Sequence, residues 1–215
     1  MTGVQTCAPP ISIFDVDKLR WLNGLWIREH LTQEQLAQRL VDWAYNADTL
    51  AAVLPHLQAR IETLSDFAPQ AAFLVSGTLP LDAASFAALG IENDQLLRRL
   101  QFALWSLEAL REWDRESVWN TLEALADRLD ITMRDFLAPL FVAISGRRAS
   151  ISVVDAMALL GPDMSRARIR HAIDALGGVS KKAAKRLEKE YRAVFYAHGA
   201  CARGARACQA KPSSD

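Results

Sequence analysis

A chain of 215 residues, 51% of them apolar, can bury one substantial core or two small ones and reads as a folded globular protein. Its 25 lysines and arginines balance 25 aspartates and glutamates, which excludes a nucleic-acid binder working by overall basicity and leaves only local excesses of cations for that purpose. No apolar run approaches the roughly 18 residues of a membrane-spanning helix, and the first ten residues lack the charged start and apolar middle of a secretory signal, so a cytoplasmic chain is expected.

Met1 to Ile11 matches nothing that follows in composition and reads as a translated adapter scar, outside the fold proper. From about Asp15 onward helical signals dominate, and no period-2 strand is evident, which predicts an all-α protein. Thr32 and Gln35 have capping-box spacing before Leu36, Leu40, Trp43 and Ala44, predicting a helix over 33–45. Asp48 is placed to cap the next helix, with a stripe of Leu50, Val53, Leu54, Leu57, Ile61 and Leu64. Pro55 lies inside that stripe and predicts a kink or break near Leu54. From Phe67 to Pro80 the prolines and Gly77 punctuate the pattern, and a loop or short helical turns are expected.

Asp82 to Leu89 reads as a short helix stopped by Gly90. Asn93 or Asp94 then caps a long one to about Trp113, with Leu96, Leu97, Leu100, Leu104, Leu107 and Leu110 inward. Asp114 restarts a helix that buries Val118, Leu122, Leu125, Ala126 and Leu129. Thr132 with Asp135 opens another, stopped by Gly146. Ser152 with Asp155 repeats the device for a helix ending at Leu160 and Gly161, and Asp163 opens the next, which stops at Gly177 and Gly178. Ser180 starts a last helix in which Ala183, Ala184, Leu187, Tyr191, Val194 and Phe195 stand opposite a basic side. After His198 periodicity is lost, and 199–215 reads as a disordered tail.

Between Met164 and Arg192 the chain carries Arg166, Arg168, Arg170, Lys181, Lys182, Lys185, Arg186, Lys189 and Arg192 against only Asp174, Glu188 and Glu190. Arg166, Arg168 and Arg170 are rotated by roughly 200° at each step of two, so they cannot share one stripe and at least one faces elsewhere. The rest are either a solvated helix face or contacts to phosphates that position a nucleic acid without reading its sequence. Cys7, Cys201 and Cys208 suit neither zinc nor redox spacing and read as free thiols. His30, His56, His171 and His198 are scattered without ligand spacing, so neither a catalytic residue nor a metal ligand is expected.

Three ordered stretches resemble bacterial glutamyl-tRNA synthetases, members of the class I aminoacyl-tRNA synthetases. Phe14 to Arg28 is similar to the family's FxxxKLxWxNxxYI segment. Gln58 to Phe67 resembles its ERxxTLxDL element. Pro139 to Gly146 followed by Met157 to Gly161 resembles the PLRxALTG and LLG elements. Two departures stand out: Phe141 replaces a usual arginine, and a Gly-Pro or Pro-Gly pair near Ile151 and Ser152 is missing.

The resemblance implies the C-terminal, anticodon-binding region of such an enzyme, with two packed helical-bundle subdomains at 32–92 and 93–177. Before them would come the tail of a stem-contact region at 12–31, and after them a basic helical extension at 178–198. It implies tRNA-Glu as partner and a monomer, with ATP and magnesium held by the catalytic part of the parent enzyme and no cofactor here. Neither a HIGH-like nor a KMSKS-like element is present, so this chain alone is expected to activate no amino acid.

By the resemblance Arg60 aligns with an arginine that reads the last anticodon base in discriminating members, the alternative being a solvated surface arginine near Glu62. A planar, permanently charged fork suits stacking on an unpaired base and donating to its edge. Trp21 resembles a tryptophan that leans on the tRNA, with core packing as its alternative, whereas Trp43, Trp105, Trp113 and Trp119 are expected in the core. Arg28, Arg147, Arg166, Arg170, Lys181, Lys182 and Lys185 complete the candidate tRNA contacts.

Two other readings stay open. Ser152 to Leu160, the Gly161-Pro162-Asp163 turn and the following helix have the layout of a helix-turn-helix with arginines on a DNA recognition helix. A plain helical protein-interaction module is the third.

Overall fold

The structure is a computed structural model that describes residues 15–147 and 151–207, with side chains as far as Phe195. The expected adapter scar, Cys7, Phe14, Cys208 and the end of the tail lie outside the described residues. Those residues form ten α-helices and two 3-10 turns, with no strand among them.

Two compact units divide between Ala51 and Ala52. In the first, α1 (Val16–His30) is capped by Asp15, whose carboxylate accepts the amides of Asp17 and Lys18. The Thr32–Gln35 capping box opens α2 (Gln33–Ala44) as its spacing predicts. Asn46, not Asp48, caps α3 (Ala47–Leu57), its side-chain oxygen accepting the Thr49 amide at 2.8 Å. Ala44 is the one buried residue of α1 and α2, and Val16, Leu19, Trp21, Leu22, Trp26, Leu40, Val41, Trp43 and Tyr45 are exposed. Trp43 is therefore not a core residue: it is 63% exposed, on a pair of helices that buries only Ala44.

In the second unit α3 runs through Pro55 without breaking. The proline falls in the last turn, where it removes a single intrahelical bond, and the helix ends two residues later. Leu57 is fully buried, but the predicted stripe stops there, since Leu64 lies beyond the helix and is 91% exposed. A helix, α4 (Phe67–Val75), occupies most of the predicted connector, with Pro69 in its first turn where a missing N–H leaves no bond unmade. The helices α5 (Ala83–Ala87), α6 (Asn93–Glu108), α7 (Arg115–Arg128) and α8 (Met133–Ser145) follow. α6 is five residues shorter than its leucine pattern suggests.

α9 (Val153–Ala175) is two helical segments joined at Gly161, whose φ of 76° is open to glycine but strained for other residues. α10 (Lys181–Ala207) continues past His198, where the sequence predicts an aperiodic tail.

One apolar cluster joins these elements. Val53, Leu57, Phe73 and Phe86 belong to the same core as Leu100, Leu122, Leu140, Met157 and Ile169. Trp105, Trp113 and Trp119 pack against that core, as their sequence context predicts.

Candidate nucleic-acid interface

Arg60 is exposed at the end of a 3-10 turn, Gln58–Arg60, that directly continues α3. The next residues extend and then fold into a second turn, Leu64–Asp66. Asp66 organises this loop: its carboxylate accepts the amide of Thr63 at 2.8 Å and that of Glu62 at 3.0 Å. These bonds favour the ionised form and hold the carboxyl below the ordinary range. The Thr63-Leu-Ser-Asp66 element thus works as a local clasp, and it presents Leu64 outward along with Arg60.

Behind the loop, His56 on α3 lies 3.7 Å from Asp155, which also accepts from Arg115 Nε at 2.6 Å. Asp155 therefore joins α3, α7 and α9. Ser152 makes no side-chain cap at the start of α9.

The three arginines of α9 divide as their spacing requires, and each has a protein partner. Arg168 is fully buried and donates to the carbonyls of Phe73, Ser76 (2.6 Å), Gly77 (3.0 Å) and Ile144. These acceptors sit at or just beyond the ends of α4 and α8, where backbone carbonyls lack helical donors and the helix dipole is negative. Burial pushes the guanidinium down to about 10, still well above neutrality, so it stays charged.

Arg166 is half-buried, donates to the Leu107 carbonyl at 2.7 Å and lies 5.2 Å over the Trp113 ring. Arg170 pairs with Glu108 at 2.6 Å. Both are thus drawn to the end of α6. The helix-turn-helix reading fails on these contacts, because the segment after Gly161 buries Ser165, Arg168, Ile169, Ala172 and Ile173 and has no free arginine face for a DNA groove.

The cations of α10 are arranged differently. Lys181, Lys182 and Lys185 are all exposed, and among the described residues none lies within 4.0 Å of a carboxylate. Lys189 belongs to the same basic run but not to the candidate tRNA contacts expected from sequence; its spacing of four from Lys185 puts it on the same face, where it too is exposed.

Arg147 is exposed just after Gly146, which caps α8 in the left-handed conformation. Trp21 and Arg28 are exposed on α1, in the other compact unit. The predicted contacts thus fall into separate places: Arg60 on its clasped loop, the lysines together on α10, Arg166 and Arg170 at the end of α6, and Arg147 by itself.

A family model described as anticodon binding domain matches residues 35–173. A glutamate-tRNA ligase of Cellvibrio japonicus (strain Ueda107) is 58% identical over 179 residues, 83% of this chain and 36% of that protein. One from Saccharophagus degradans (strain 2-40) is 54% identical over 182 residues, 85% of this chain and 36% of that protein. The chain therefore spans about a third of the length of these relatives. A crystal structure of a glutamate tRNA ligase from Elizabethkingia meningosepticum, in complex with its amino acid, shares the fold with a TM-score of 0.55. Its sequence identity is 16%, and the match covers 76% of this chain and 33% of that one.

Proposed function

The chain belongs to the anticodon binding domain family, and from that membership we propose that it is the tRNA-holding part of a glutamate-tRNA ligase, gripping the anticodon arm of tRNA-Glu. The observation that carries this reading is the family match over 35–173, which encloses the clasped loop presenting Arg60. An anticodon offers unstacked bases, and an exposed guanidinium and an exposed leucine on the same loop provide a hydrogen-bonding fork and an apolar edge for them. Trp21 and Arg28, exposed on α1, supply stacking and phosphate contacts elsewhere on the RNA.

Adenylate chemistry, with its ATP and magnesium, belongs to the remaining two thirds of the ligase. This part contributes position: holding the arm orients the acceptor end toward a distant active site, so its work is specificity and alignment. The chain acts as a monomer. Hydroxyl-radical footprinting of a tRNA-Glu transcript tests the reading. Protection centred on the anticodon arm is expected, and uniform protection, or none, contradicts it.

A further inference from the structure

We propose that the exposed face of α10 is a rail for the RNA phosphate backbone, separate from the base-reading loop and indifferent to sequence. The inference rests on the tRNA reading above.

At 3.6 residues per turn, Lys181, Lys182, Lys185, Arg186, Lys189 and Arg192 fall within an arc of about 140°, and Leu187, Tyr191 and Phe195 occupy the opposite side. That apolar side is already docked. Leu187 is buried, Tyr191 packs edge-on to Phe102 and Trp105 with its hydroxyl 2.8 Å from Ser106, and the Arg128 guanidinium lies 4.2 Å over the Phe195 ring. Arg98 fastens the edge through Glu190 at 2.6 Å. A basic amphipathic helix whose apolar face was free would suit a membrane surface. Here that face is consumed by the bundle, leaving a fixed row of cations as the outward feature.

The placement of the lysines adds a second argument. Lys181 and Lys182 open α10, whose first turn contains no acidic residue, and the positive end of the helix dipole disfavours cations there. Stability of the helix does not explain them. A phosphate would relieve the repulsion and also accept from the amides of Lys181 and Lys182, the Ala183 amide being bound already by the Ser180 hydroxyl. Lys185 and Lys189 continue the row at one-turn intervals. Arg186 and Arg192 lie nearer to carboxylates, at 3.9 Å from Asp94 and beside Glu188 respectively, so among the described residues the four lysines are the cations of this row without a carboxylate within 4.0 Å.

The test uses the full chain and a variant with K181Q, K182Q, K185Q and K189Q, titrated with a tRNA-Glu transcript and with the same transcript carrying an altered anticodon, across a salt series. Each lost phosphate contact removes about 0.7 to 0.9 from the slope of log affinity against log salt, so the variant slope should flatten by roughly 3. Affinity should fall by the same factor for both transcripts. The four-arginine variant should restore the slope, and circular dichroism should find unchanged helicity. A wild-type slope in the glutamine variant overturns the rail while leaving the anticodon reading standing. Absence of RNA binding by the wild-type chain at any salt removes both. Lysine-dependent capture by anionic phospholipid vesicles with no change in RNA slope also overturns it.

Discussion

The carboxylate of Asp66 holds the backbone amide of Thr63 at 2.8 Å, closing the loop that follows Arg60. This clasp accounts for a polar motif beside the arginine proposed to read a base without any contact between Asp66 and RNA. D66A should weaken binding of the anticodon stem-loop several-fold, while D66N, which keeps one acceptor oxygen, should retain most of it. Fluorescence anisotropy with a labelled stem-loop measures both. Equal loss in the two variants would point instead to a role for the charge itself.

Arg168 should behave as a structural residue. R168M leaves carbonyls of two helix ends without a donor inside the core, and a loss of about 3 kcal/mol or more is expected in urea denaturation. A change below about 1 kcal/mol would mean that water or a rearranged backbone satisfies those carbonyls.

Arg166 and the α10 lysines make a matched comparison of cations. R166Q should lower the denaturation midpoint, because it uncaps α6 and removes the stack on Trp113, yet leave the salt dependence of RNA binding almost unchanged. A slope that flattens by about 1 with intact stability would move Arg166 to the RNA.

Asp66, Asp82 and Asp114 all accept amides at the starts of turns or helices; these bonds, and for Asp82 first the hydroxyl of Ser85, hold each carboxyl below its usual 3.8. Groups with depressed folded values contribute fully above the unfolded value and lose the contribution as pH falls through the folded one. Stability should therefore be insensitive to these caps at neutral pH and decline below about pH 4, with D82N and D114N flattening that acid limb. Thermal melts from pH 7 to pH 2.5 follow it. An acid limb unchanged in both variants would detach it from the caps.

The local signals for α-helices were the most legible part of the chain. Thr32, Asp114 and Thr132 all cap where their spacing predicts, because a cap depends on neighbours three residues away. Distant partners were not legible. Arg168 reads as one more cation in a basic run until its four carbonyl acceptors, 24 to 95 residues away, are in place. Trp43 misled in the opposite direction, since a tryptophan at helical spacing suggests burial and nothing local reveals whether a covering layer exists. Pro69 suggested a connector, but its position in the first turn of α4 makes it compatible with a helix. Of the candidate site, the exposure of Arg60 followed its motif, while the role of Asp66 emerged only from the fold.

The most direct test of anticodon recognition is the affinity of wild-type chain and R60A for two tRNA-Glu transcripts, one native and one changed at the last anticodon base. The account predicts that the wild-type chain prefers the native RNA, and that R60A loses about 1 to 3 kcal/mol on it and much less on the altered one. Equal affinities in the wild-type chain, or equal losses on both RNAs, would contradict it.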